Sequence, residues 1–299
     1  MDWLTDWKIP IGKSAKRAFD GLQDVGEPFF DWLSWLMEGM IEIILAVLQT
    51  PLHLPGTLDD GTRGWVPLYG EEYHPLLVIA VFVALTWVLQ RNWKTALLVL
   101  VGFLFILNQG YWEETAESLT LVLSAAFVCM ALGVPIGIMA ARRPRLYTWM
   151  RPVLDLMQTL PTFVYLIPAI VFFGIGMVPG LIATVIFVLP APIRLTHLGI
   201  SRTPLALKEA AQAFGATPRQ LLWKVELPWA LPQIMTGLNQ TIMLSLSMVV
   251  IAALVGADGL GVPVVRALNT VNTALGFESG FIIVVVAIIL DRMLRVERK

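Results

Sequence analysis

Residues 209–228 read EAAQAFGATPRQLLWKVELP, the most polar, helix-ready stretch in the second half of an apolar chain. The chemistry such residues can do is docking rather than bond-making. Thr203-Pro204 suits a helix start, with Thr as cap and Pro at the first helical position. LALKEAAQAF then runs without a breaker. Leu207, Ala210 or Ala211, and Phe214 fall on one apolar stripe, while Lys208 and Gln212 can face water. Gly215 offers a C-cap or turn. Thr217 followed three residues later by Gln220 fits a capping box, and Pro228 is expected to end the second short helix. Three readings compete for this pair of helices: a helix-turn-helix reader of DNA, a structural surface hairpin, and a short helix fitted to a groove on a soluble partner. The small net charge of the loop argues against the first.

Bond-making chemistry is hard to find elsewhere. The full P-loop pattern, Gly-x4-Gly-Lys-Ser/Thr, does not occur, so the chain is expected to bind no ATP of its own and to be no enzyme. His53, His74 and His197 show no metal spacing among themselves, and the single cysteine, Cys129, excludes an intramolecular disulfide. No cofactor is expected on this chain.

The elements that must position the loop follow from composition. The 299 residues are 57% hydrophobic and 14% charged, where a soluble domain carries about 25% charged residues. Mean hydropathy is +0.73. The expected fold is all-α, a polytopic membrane protein. A spanning helix needs about 20 mainly apolar residues. Residues 73–90, 95–112, 118–141 and about 231–256 supply single spans. The uncharged run 156–193 is too long for one and is punctuated by GIGMVPG at 174–180, which suggests a hairpin between two helices. FIIVVVAIIL, 281–290, becomes a span with its flanks. The segment 32–50 carries Glu38 and Glu42 on one face; it either lies on the membrane or crosses it against protein.

Loop charges arrange these spans. Arg91 and Lys94, then Arg142, Arg143, Arg145 and Arg151, then Arg194, Arg202, Lys208, Arg219 and Lys224, then Arg292, Arg295, Arg298 and Lys299 recur on one side. The positive-inside rule puts all four groups in the cytoplasm. Glu113, Glu114 and Glu117, the MVPG turn and residues 258–278 fall outside, as do Asp59, Asp60, Glu71 and Glu72. Lys8, Lys13, Lys16 and Arg17 prefer the inside, which favours eight spans with both termini cytoplasmic over seven with the N-terminus outside. Residues 1–72 form an N-terminal region with one weak span and an external loop; 73–295 form the transmembrane core, and 201–228 a cytoplasmic loop within it. Polar residues inside spans mark a candidate translocation path. They are Asp155, Gln158 and Thr159 before the helix break at Pro161, and Asn239, Gln240 and Thr241 after the loop. Hydrogen bonding between helices is the competing role for Asn239 and Gln240.

The loop resembles the coupling loop of permease subunits in ATP-binding-cassette importers. That motif is Glu-Ala-Ala, three residues, Gly, nine residues, an aliphatic residue, any residue, Leu and Pro. Here it reads Glu209-Ala210-Ala211, Gly215, then Val225-Glu226-Leu227-Pro228. LDLMQTLPTFVYLIPAIVFFGIG at 154–176 and GLNQTIMLSLSMVVIAALVGADGLG at 237–261 resemble the glycine betaine/proline (choline, carnitine) branch. The resemblance covers about residues 75–295. It implies a type I importer permease fold in the cell inner membrane, serving osmoprotection by uptake of betaine-like solutes. It also implies a second permease copy, two cytoplasmic ATP-binding subunits holding ATP and Mg, and an extracytoplasmic substrate-binding protein. Glu209, Ala210, Ala211, Gly215, Leu227 and Pro228 would then couple to the ATPase. An ion-coupled secondary transporter using Glu38 and Glu42 is the alternative, and an anchor or sensor without conduction a third class. No nucleic-acid partner is expected.

Overall fold

The computed structural model describes residues 11–49, 53–57, 63–67 and 75–295. Lys8, Asp59, Asp60, Glu71, Glu72, His74, Arg298 and Lys299 lie outside them. Thirteen helices are described: α1 (Ile11–Leu48), α2 (Pro75–Gln90), α3 (Trp93–Asn108), α4 (Trp112–Arg142), α5 (Pro144–Thr159), α6 (Thr162–Phe173), α7 (Met177–Val188), α8 (Pro190–Ser201), α9 (Leu205–Ala213), α10 (Pro218–Leu221), α11 (Leu227–Ala253), α12 (Gly261–Thr270) and α13 (Thr273–Leu294). Among the described residues the one departure from all-helical structure is a small antiparallel hairpin after α1. Its strands β1 (His53–Thr57) and β2 (Arg63–Pro67) pair His53 with Pro67 and Thr57 with Arg63.

Four stretches are long and apolar enough to cross a membrane: α4, α7 continued by α8, α10 continued into α11, and α13. The pair α5–α6 makes a fifth if counted as one span bent by 94°. The expected eight spans, or seven, are therefore not reached among the described residues. Two physical reasons account for the difference. Helices α2 and α3 hold 16 residues each, about 24 Å of rise, against a hydrocarbon core of about 30 Å. Segment 32–50 is no separate element either. Its residues 32–48 are the end of the 38-residue α1, whose Glu38 and Glu42 are exposed, with the Ser34 hydroxyl donating to Glu38 at 3.3 Å.

The core is organised around α4, which packs on α8 and α11. Gly137 makes the approach to α8 possible: a Cβ there would sit 2.7 Å from the Cβ of Thr196 and 2.8 Å from the backbone oxygen of Ile193. Close backbone approach through small residues is how helices associate without a hydrophobic drive from water. Helices α2, α3 and α13 join this core through Phe82, Phe103, Ile106 and Ile289.

Long-range hydrogen bonds join ends that share a side in the charge alternation. The Gln90 amide donates to the carbonyls of Met293 and Arg295, both at 2.8 Å, tying α2 to the end of α13. On the opposite side the Gly176 N–H donates to Val255 at 2.9 Å, and the Leu260 N–H donates to the Ser118 hydroxyl at 2.8 Å. The turn expected at 174–180 is confined to 174–176 between α6 and α7, with Gly174 and Gly176 at positive φ; Met177–Gly180, expected in the turn, already form the start of α7.

Candidate coupling loop and polar path

The loop folds into two helical pieces, as its caps require, with two differences from the expected detail. Thr203 does not cap α9. Pro204 occupies the capping position, with φ −54° and ψ 135° and no side-chain cap bond. The Thr203 hydroxyl lies buried with no hydrogen bond among the described residues. Pro228 does not end the second piece. Helix α10 passes through a π segment, Leu222–Glu226, straight into α11, and together they run 36 residues from Pro218 to Ala253. The reason is local: a proline lacks an N–H and clashes with the carbonyl four residues back. In the π register the Leu227 N–H reaches Leu222, five residues back, which widens the turn around Pro228.

The turn and the capping box are as expected, but the faces of the first helix are not: Lys208 is half-buried against Glu226, while Leu207 and Phe214 are exposed. Helix α9 closes in a Schellman pattern: the Gly215 N–H donates to Gln212 at 2.9 Å and the Ala216 N–H to Ala211 at 3.0 Å. Gly215 takes φ 76°, a conformation that costs glycine little. The capping box is complete, with the Gln220 N–H donating to the Thr217 hydroxyl at 3.3 Å and the Thr217 N–H to the Gln220 side chain at 2.8 Å.

What the loop presents is unusual for a helix on a protein surface. No residue of α9 is buried. Phe214 is 93% exposed, and Leu205, Leu207 and Trp223 are also exposed. Glu209 and Ala210 are exposed, Ala211 half-buried. Among the described residues the Glu209 carboxylate makes no hydrogen bond or ion pair. Leu227 is half-buried and Pro228 exposed at the root of α11.

Sequence reasoning passed over the residue that anchors this device. Glu226 is buried, and its carboxylate lies 3.4 Å from Arg142 Nη2 and 3.4 Å from Lys208 Nζ. Arg142 also donates to the Pro218 carbonyl at 2.9 Å. The only sequence hint was an acidic residue at the free position of the motif, set among basic residues. Its pairing with Arg142 spans 84 positions, beyond the reach of any local pattern.

The path candidates separate into two groups that no hydrogen bond or ion pair joins among the described residues. Asp155 on α5 pairs with Arg194 on α8 at 2.6 Å, beside a stacked Tyr147–His197 pair. Gln158 is half-buried, Thr159 exposed with its hydroxyl on Leu156, and Pro161 stands at the 94° bend. On α11, consecutive residues point about 100° apart, so Asn239, Gln240 and Thr241 take three directions. The Asn239 amide donates to Asp291 of α13 at 2.9 Å. The Thr241 hydroxyl is buried on the Gly237 carbonyl at 2.8 Å. Gln240 alone faces outward, on a stripe with Thr236 and Ser247. An unpaired amide is costly against lipid, so this stripe suits protein or water.

A bundle of apolar helices with an exposed, doubly capped loop can now be set beside known proteins. Residues 133–296 match the family described as binding-protein-dependent transport system inner membrane component. The chain belongs to this family. As an inner membrane component of binding-protein-dependent transport it is a multi-span transport subunit, with no catalytic role of its own. It is 47% identical over 287 residues to the glycine betaine/carnitine transport permease protein GbuB of Listeria monocytogenes, covering 95% of this chain and 94% of that one. Against the glycine betaine transport system permease protein OpuAB of Bacillus subtilis it is 44% identical, covering 91% and 92%. Against the glycine betaine/proline betaine permease ProW of Escherichia coli it is 40% identical, covering 98% and 81%. The fold matches an inward-facing structure of the MetNI methionine transporter with a TM-score of 0.54 at 23% identity, over 63% of this chain and 92% of that one.

Proposed function

We propose that this chain is the membrane subunit of an ATP-driven importer for glycine betaine, proline betaine or a related compatible solute. The observation that carries this reading is the exposed loop at 205–226, built to the coupling motif in a chain similar over nearly its whole length to betaine permeases. Two copies of the permease, two ATP-binding subunits and an extracytoplasmic binding protein make up the assembly. ATP and Mg reside on the ATP-binding subunits.

The chain's own residues bind, transmit and conduct. Helix α9, with Leu207 and Phe214 exposed and Glu209 free to pair, seats in a groove of the ATP-binding subunit. Gly215 holds the bend and the Thr217–Gln220 box starts the piece that continues into α11. Binding of ATP favours one global state of the subunits over the other, and α9 hands that bias to the spans. The Gln240 stripe of α11 lines the path, facing the second copy. The ends bearing Arg91, Arg142 and Arg292, with both termini, face the cytoplasm. The short helices α2 and α3 complete their crossing with flanking residues and local thinning of the bilayer.

Purified complex in liposomes tests this directly. Uptake of glycine betaine should require both ATP inside and binding protein outside. Uptake that persists without them and stops when an ion gradient is collapsed would instead fit a secondary transporter built on Glu38 and Glu42. No flux of any solute would leave an anchor or sensor.

A further inference from the structure

Helix α9 is the part of the loop most exposed to a partner, yet it has one polar side-chain link to the rest of the chain among the described residues. That link is the ion pair from Lys208 to Glu226. Glu226 in turn sits where the π segment becomes α11, and its other oxygen meets Arg142 at the last turn of α4. Arg142 reaches further to the Pro218 carbonyl at the start of α10. One carboxylate thus joins the docking helix, the root of one long span and the end of another.

The energetics of this arrangement differ between its members. The Glu226 side chain is 8% exposed, while those of Arg142 and Lys208 are 38% and 25% exposed. A buried carboxylate without cations is costly. The two cations, by contrast, can rehydrate if the carboxylate is neutralised. The node therefore stays closed only while Lys208 and Arg142 keep their places. A displacement of α9 pulls on Glu226 and, through it, on α4. Helix interiors widened to the π register often accompany functional sites.

We propose that Glu226 is the positioning residue that carries movement of α9 into α4 and α11, with Lys208 as its grip on the docking helix and Arg142 as its grip on α4. The proposal rests on the reading of α9 as the ATPase-docking helix. It predicts that loss of the node leaves docking intact and wastes ATP: the subunits still bind and hydrolyse, and fewer solutes cross per cycle.

The test is the ratio of ATP hydrolysed to glycine betaine taken up, in liposomes holding the full complex. E226Q and K208M should each raise that ratio about 5- to 10-fold, while co-purification of the ATP-binding subunits stays at the wild-type level. The double variant should be no worse than either single one, since both break the same link. K208R, which keeps the charge, should restore the wild-type ratio. If E226Q fails to assemble, K208M decides by the same ratio, because Glu226 then still has Arg142. An unchanged ratio in K208M, or a fall in hydrolysis and uptake together with loss of the ATP-binding subunits, overturns the proposal. These outcomes are separate from failure of the importer reading itself, which would appear as wild-type uptake indifferent to ATP.

Discussion

Helices α4 and α9 belong to one chain and obey opposite rules. Helix α4 buries residues along nearly its whole length, from Thr115 to Ala140, and admits α8 so closely that Gly137 has no space for a methyl group. Helix α9 buries none of its residues, and the phenylalanine that caps it stands almost wholly exposed. The first is stabilised by this chain alone. The second is closed at its C-terminus by the Gly215 turn and left incomplete, as a surface awaiting another protein should be.

The contrast can be broken at graded cost. Gly137→Leu should have the largest effect, because the added side chain meets the Ile193 backbone, which cannot step aside. Overpacking of about 3 kcal/mol or more is expected, seen as loss of folded permease from detergent extracts. Gly215→Pro comes next. It forbids φ 76° and removes the N–H given to Gln212, so uptake should be lost while membrane insertion stays normal; Glu209→Lys should act in the same direction. Phe214→Ala removes an exposed ring and no core contact. Binding of the ATP-binding subunit should weaken about tenfold with the melting temperature of the isolated permease unmoved. Thr217→Ala should cost least, about 1 kcal/mol of cap stability, read as faster amide exchange confined to 217–221. Equal effects of Gly137→Leu and Phe214→Ala on permease folding would erase the distinction between the two helices.

What could be read in advance follows the same division. The Thr217–Gln220 box, the Gly215 turn and the break at 174–176 are set by residues three or four apart, and local pattern is enough to find them. The Glu226 node depends on Arg142 and Lys208, brought in by packing of distant helices, and no spacing rule reaches it. For Asn239 two roles were legible, path residue and hydrogen bond between helices; the partner for the second, Asp291 on α13, lies 52 positions away and no local pattern names it. Thr203 departs from its expected capping role for a subtler reason: Pro204 takes the capping backbone position itself, and the hydroxyl is left inside. The span count is only partly matched among the described residues because apolar composition identifies α2 and α3 as membrane material, while the helices themselves hold 16 residues each, too few to cross without their flanks.

The proline that does not stop its helix has a mechanical consequence. From Pro218 to Ala253 the chain is one rod of 36 residues, about 54 Å long at 1.5 Å per residue. It extends well beyond a hydrocarbon core of about 30 Å, with its near end inside the loop and Gln240 past its middle. A rod of that length is a lever arm. A tilt of about 5° at the loop sweeps its far end through about 5 Å, near the turn where Gly176 meets Val255. A break at Pro228 would have put a slack joint at the foot of that lever; its absence lets a small push at the loop become a displacement at the opposite face.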